Sequence, residues 1–342
     1  MLPMYPYKVA ETLLAGLPKR AATVLEKRFG IGKNTRKHTL EAIGKTYGIT
    51  RERVRQIEQD GITRIKKSQV HQDLGSVFIV IEDYIKRMGG LVSEESLVSY
   101  FDTDKKSANA IRFLLELIPG IHYRQENATF YPRWTIDNHL ADRIQNILEA
   151  TAKDVYLYKN TVPYEELVAL LGRNGTTAGA DAMSTAAVTS FLEVSKKLGK
   201  NYFGEWGHVS SARIRPRGVR DMAYIIFCHE GKPLHFLEAA ERIRQAAFPR
   251  KVHAQTVHNE LIKDARFVLV GRGTYGLAEW GYEPGTVRDI ITRVLGEGSK
   301  QREEIVASVL GKRRVKENTI LINLQNKRYF KREEDGRYTT II

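Results

Sequence analysis

The stretch Thr39-Leu-Glu-Ala-Ile-Gly-Lys-Thr-Tyr-Gly-Ile-Thr-Arg-Glu-Arg-Val-Arg-Gln-Ile-Glu58 carries the punctuation of two short helices and the turn between them. Thr39 has the chemistry of an N-cap, and Leu40 and Ile43 give the first helix an apolar face at helical spacing. Gly48 follows Tyr47 where a helix must stop in a left-handed residue, which glycine adopts without a Cβ penalty. Thr50 then caps a second helix. At about 100° per residue, Val54, Ile57, Gly61 and Ile65 gather on one side of it. Glu52, Arg55, Gln56 and Gln59 fall on the other side, with Arg51 at the edge. The pattern predicts a helix-turn-helix whose second helix packs by one face and leaves a hydrogen-bonding face exposed.

That exposed face has the chemistry of base readout. A guanidinium grips guanine bidentately, a glutamine pairs with adenine, and a glutamate accepts from the cytosine amino group. Arg51, Glu52, Arg55 and Gln56 are therefore the candidate base readers. Thr50, Arg53, Arg64, Lys66 and Lys67 are placed as phosphate contacts, which add affinity without sequence information.

Working outward, residues 13–68 resemble the fourth conserved region of primary sigma factors. The resemblance rests on Leu17-Pro18-x-Arg20, on Val24-Leu25-x-x-Arg28-Phe29-Gly30, and above all on Thr50-Arg-Glu-Arg-Val-Arg-Gln-Ile-Glu58. It implies that the second helix enters the major groove of the upstream promoter element, with Arg51, Glu52 and Gln56 as base readers. It also implies docking on the β flap of RNA polymerase through apolar first helices, here Leu13, Leu14, Leu17, Val24, Leu25 and Phe29. Gly61 departs from the family, standing where an alanine-like helix former is usual; the substitution is expected to soften the helix end by about 1 kcal/mol. Nothing in the sequence resembles the sigma regions that melt promoters and bind the core clamp, so a stand-alone promoter-opening factor is not expected.

The rest of the chain repeats at roughly 65–70 residues. Glu95-Ser-Leu-Val98, Glu165-Glu-Leu-Val168, Glu303-Glu-Ile-Val306 and, more loosely, Leu237-Glu-Ala-Ala240 mark four equivalent helix starts. Apolar first helices precede them at 76–88, 138–152, 220–230 and 286–297. Third helices come after them near 105–116, 184–198, 253–263 and 316–326, and each unit closes on an aromatic-rich extended segment. Tight turns are legible at Gly271-Arg-Gly273, Asp335-Gly336 and Glu126-Asn127. Three helices and a hairpin make a winged helix-turn-helix. The expected fold is thus mainly α with short β wings: a sigma-like helix-turn-helix over 1–74, and winged helices over 75–136, 137–210, 211–281 and 282–342. The 211–281 unit resembles the HARE-type winged helix through Gly231-Lys-Pro-Leu-His235, Val257-x-x-Glu260-Leu261 and the run from Asp264 to Trp280. That family includes the folded part of the RNA polymerase δ subunit and accompanies restriction and chromatin proteins.

Charge follows the same divisions. Of a formal net +14, the five segments carry +8, −1, −2, +5 and +4. A basic start and a basic end predict two separated polyanion contacts. Within the last two units the candidate phosphate contacts are Lys251, Lys263, Arg272, Arg313, Arg314 and Lys316. The two middle units read as spacers or protein-docking modules.

Other classes find little support. The pairs Glu94-Glu95, Glu165-Glu166 and Glu303-Glu304 sit at helix starts, where the dipole favours carboxylates, and adjacent helical residues diverge by about 100°. The histidines, with the single Cys228, fit no zinc spacing. Gly172 to Ala180 lacks the order of a phosphate-binding loop. No enzyme, cofactor or metal is expected, and no apolar run or leader-like N-terminus points to a membrane, so a cytoplasmic, nucleoid-associated protein is. The predicted partners are promoter-like duplex DNA and the polymerase β flap. The leading function is a bacterial transcription regulator. A polymerase accessory or scaffold protein, and a restriction-associated DNA-metabolism factor, are the rivals.

Overall fold

The computed structural model describes residues 3–32, 35–101, 104–158, 161–175, 184–246, 248, 252–296, 298–313 and 315–341. The chain divides into two compact units, Met1–Gly199 with Trp206–Val209, and Lys200–Glu205 with Ser210–Ile342. No helix among the described residues is long and apolar enough to cross a membrane.

The first unit begins with α1 (Pro6–Ala15), α2 (Lys19–Phe29), α3 (Leu40–Tyr47), α4 (Arg51–Lys66) and the short α5 (Gln69–Asp73). Next come α6 (Gly75–Arg87), β1 (Leu91–Ser93), α7 (Glu94–Phe101), α8 (Lys105–Leu117), β2 (His122–Arg124) and β3 (Arg133–Thr135). β3 is the centre of an antiparallel sheet of order β1-β3-β2, pairing Val92 with Trp134 and Tyr123 with Trp134. The wing turn is set by Asn127, whose Oδ1 accepts from the backbone N–H groups of Thr129 (2.9 Å) and Phe130 (2.7 Å). A further three-helix set, α9 (Asn138–Leu157), α10 (Tyr164–Asn174) and α11 (Thr185–Glu193), ends in the strand pair β4 (Leu198–Lys200) and β5 (Trp206–His208). The acidic pairs Glu94-Glu95 and Glu165-Glu166 do open α7 and α10.

One core does not respect the boundary drawn at 74/75. Val9, Leu13 and Leu14 of α1 are buried together with Ile111, Leu114 and Leu115 of α8, and α1 lies along α8. Each such side chain withdrawn from water contributes about 1.5–3 kcal/mol before entropy is counted, so the two predicted modules share a substantial part of their stability. The next boundary is bridged too. Leu91 and Phe130 belong to the core of α9–α11, Ser190 Oγ donates to the Leu91 carbonyl at 2.8 Å, and the Tyr131 N–H donates to the Val194 carbonyl at 2.9 Å.

In the second unit, α12 (Val219–Glu230), β6 (Leu234–His235), α13 (Phe236–Gln245), α14 (Ala254–Lys263), β7 (Phe267–Gly271) and β8 (Thr274–Leu277) enclose one core. Their sheet runs β6-β8-β7, with a register shift between Leu269 and Gly271 at the wing turn. The chain ends with α15 (Val287–Leu295), α16 (Arg302–Lys312), α17 (Glu317–Leu324), β9 (Phe330–Arg332) and β10 (Tyr338–Thr340) around a separate core. Here Gly336 turns the hairpin at φ +85°, and Glu304 opens α16 in a capping box with Gln301. The chain is thus mainly α, with small antiparallel strand pairs as wings, consistent with a winged-helix-like architecture.

Candidate nucleic-acid interface

The helix-turn-helix is built by local chemistry. Thr39 Oγ1 accepts from the Ala42 N–H at 3.2 Å and starts α3. Gly48 ends it in the left-handed region at φ +64°. The Ile49 N–H then bonds the Gly44 carbonyl at 3.1 Å. Gly44 makes the turn tight: a Cβ there would lie 2.6 Å from the Ile49 carbonyl oxygen. Thr50 Oγ1 accepts from the Arg53 N–H at 3.2 Å and starts α4. Val24, Ile43 and Val54, all fully buried, lock α2, α3 and α4 together, with Leu40, Tyr47, Ile49 and Ile57 around them.

The far half of α4 is held differently. Gly61 is buried, and a Cβ on it would meet Leu25 Cδ1 at 3.1 Å. The glycine lets α4 approach α2 closely, and the helix runs through it unbroken to Lys66. Ile65 joins the core shared with α8, and Arg28 Nε bonds Glu58 at 3.2 Å across α2 and α4. The softening expected at Gly61 is offset by this packing.

Arg51, Glu52, Arg55 and Gln56 are all exposed on α4, as are Arg53, Arg64 and Lys66, and so are the capping residues Thr50 and Lys67. The readers are organised among themselves. Arg55 donates to Glu52 through Nε (2.9 Å) and Nη2 (2.6 Å). That bond holds the Glu52 carboxyl below its usual range, so it stays an acceptor. Arg53 Nη1 donates to Gln56 Oε1 at 3.1 Å. Arg64 bonds Asp60 at 2.8 Å, while Lys66 and Lys67 end the helix where its dipole favours cations.

One buried polar residue that supports the site escaped the sequence reading. Asn109 of α8 is buried, and its Nδ2 donates to the carbonyls of Gly30 and Thr35, each at 3.0 Å. It thereby fixes both sides of the segment that leads from α2 to α3. The one available signal was an amide in an otherwise apolar stretch of helix.

The C-terminal candidates scatter. Lys263 ends α14, Arg272 is exposed in the β7–β8 turn, and Lys316 is exposed just before α17. Arg313 is different: it is buried and its guanidinium donates to the Gly285 carbonyl, closing its own module, so it is not a surface cation. Lys251 and Arg314 lie outside the described residues, as does the 176–183 part of the glycine-containing loop. His253 and His258 do not converge on a ligand: His258 stacks on Phe236 at 4.4 Å. Among the described residues no group of three or more His, Cys, Asp or Glu could hold a metal.

With this geometry in place, residues 13–67 match the Sigma-70, region 4 family. They form a region-4-like helix-turn-helix. The similar curated proteins include RNA polymerase sigma factor RpoD of Neisseria gonorrhoeae, 43% identical over 60 residues, or 18% of this chain. The chain spans only 9% of that relative's length. No solved structure gave a significant match. The region-4-like segment is a DNA-binding module of the promoter-recognising kind, and the remaining four-fifths of the chain takes no identity from it.

Proposed function

We propose that the protein is a transcription regulator that reads promoter-like duplex DNA with α4. The observation that carries this reading is the division of α4 into a buried side, Val54, Gly61 and Ile65, and an exposed side bearing Arg51, Glu52, Arg55 and Gln56. At 1.5 Å per residue the first two turns span about 10 Å, which suits a major groove about 12 Å wide. Arg64, Lys66 and Lys67 lie about 20 Å or more from the helix start, roughly 10 Å past its second turn, beyond the groove, where phosphates are met. Gln56 and Glu52 can exchange their solvated intrahelical partners for base edges.

The region-4 resemblance is compatible with polymerase association, but the six apolar residues of the first two helices serve mainly as core. Leu13, Leu14, Val24 and Leu25 are buried in the chain's own cores, and Leu17 and Phe29 pack partly buried against them. The reading therefore rests on DNA. In a gel-shift titration the wild-type chain is expected to prefer a promoter upstream element to a shuffled duplex. Arg51→Ala with Gln56→Ala should remove that preference, about 1–3 kcal/mol per bidentate contact, while weak general binding persists. Unchanged affinity and preference in the double variant would refute the assignment.

A further inference from the structure

The second unit holds a cavity of about 610 Å³ between the start of α12 and the end of α14. Its lining includes four cations, Arg217, Arg220, Lys263 and Arg266, and two carboxylates, Asp221 and Asp264. Arg266 takes both carboxylates: Nη2 lies 2.7 Å from Asp221 and 2.6 Å from Asp264. A further bond from the Arg217 N–H, 3.0 Å, goes to Asp221. The remaining cations are more loosely partnered. Arg220 has Glu260 only at 3.8 Å, and among the described residues no carboxylate within 4 Å pairs with the side chains of Arg217 or Lys263. All three are exposed.

We propose that this cavity is a second DNA contact, seating backbone phosphates of a duplex independently of α4. The proposal rests on the DNA-binding reading above and extends it to the winged part of the chain. A free phosphate or nucleotide suits the site less well. Exposed cations hold a small anion weakly in water, because solvent and salt screen each pair. A duplex gains instead from releasing its condensed counterions, which needs solvent-facing cations rather than buried donors. Arg266 offsets only one of the two carboxylates it binds, leaving the cavity floor near −1, while Arg217, Arg220 and Lys263 put three positive charges at the rim for a net of +2. The 211–281 segment carries +5 while the segment before it carries −2, so a second basic stretch, distinct in sequence from the +8 of residues 1–74, begins here.

The test uses the full chain and a random-sequence duplex, with binding followed by fluorescence anisotropy between about 50 and 200 mM salt. Arg217→Ala with Lys263→Ala should shrink the slope of log K against log salt by about 1.8, at roughly 0.9 per phosphate contact. The charge-conserving pair Arg217→Lys with Lys263→Arg should restore the slope, which separates loss of charge from loss of folding. Arg51→Ala with Gln56→Ala should leave this contribution in place while abolishing sequence preference. An unchanged slope in the alanine pair, with wild-type sequence preference intact, would overturn this proposal and spare the reading of α4. Wild-type calorimetric binding of inorganic phosphate that the alanine pair loses, again with an unchanged duplex slope, would overturn the backbone assignment in favour of a small-anion site. Failure of the wild-type chain to bind any duplex would instead remove the DNA-binding reading itself.

Discussion

The glycines of the helix-turn-helix show how a residue's value depends on its surroundings. Gly48 obeys the familiar rule for a left-handed helix end, and it was legible from its position after Tyr47. Gly44 and Gly61 were not legible as necessities, because their reasons lie in atoms brought near only by the fold. By propensity alone Gly44→Ala in α3 should stabilise by about 1 kcal/mol. A Cβ 2.6 Å from the Ile49 carbonyl oxygen must instead push the turn apart, so we expect a lower urea midpoint and weaker DNA binding. An increase in stability would show that the turn is looser than described. Cys228 gives a pH-dependent expectation. Burial pushes its thiol up to about 11, with the Glu279 carboxylate adding to the effect against Arg213. The unfolded thiol titrates near 8.5, so the folded chain keeps its proton longer. Its stabilising contribution is full below that lower value and is lost as pH rises through about 11. The urea midpoint should therefore fall between about pH 8 and 10, and fall less steeply in Cys228→Ala. Above about pH 10, where a free tyrosine titrates, a further decline should set in for both chains, because Tyr224, also raised by burial and bonded to Glu279 at 3.1 Å, acts in the same direction.

At the scale of elements, periodicity and caps located nearly every helix, and the wings came from turn chemistry at Asn127, Gly271–Gly273 and Gly336. Sequence patterning could not supply which apolar face meets which. Leu13 and Ile111 are equally good core residues in any arrangement, and no spacing rule says that α1 will lie along α8. The burial of Arg313 was hidden for the same reason: an arginine in a basic run reads as surface until its carbonyl partner, Gly285, is seen. Asn109 was hidden likewise, and it makes α8 a support for the recognition module. Removing its amide leaves the Gly30 and Thr35 carbonyls without that donor, which costs about 1–3 kcal/mol if water does not replace it. Asn109→Ala should thus lower the midpoint of urea unfolding and weaken specific DNA binding. The preferred DNA sequence should not change, because no reader on α4 is touched. A change of preferred sequence would mean that α8 shapes the readout and does more than hold the segment before α3.

For the whole molecule, the shared cores predict that the recognition module depends on α8 for its stability. A fragment ending at residue 74 would expose Val9, Leu13 and Leu14, which α8 otherwise covers. Circular dichroism should find such a fragment largely unfolded or aggregated, whereas residues 1–209 should unfold cooperatively; a well-folded 1–74 fragment would contradict the shared core. The distribution of charge was readable from the sequence, and it concentrates in the segments that carry α4 and the cavity beside α12. The central claim is that α4 reads duplex DNA by base contacts, and selection of bound sites from a random duplex pool by the full chain tests it most directly. The wild-type chain should enrich one discrete promoter-like element, and Arg51→Ala with Gln56→Ala should enrich none. Enrichment of the same element by the double variant, or of no element by the wild type, would contradict the claim.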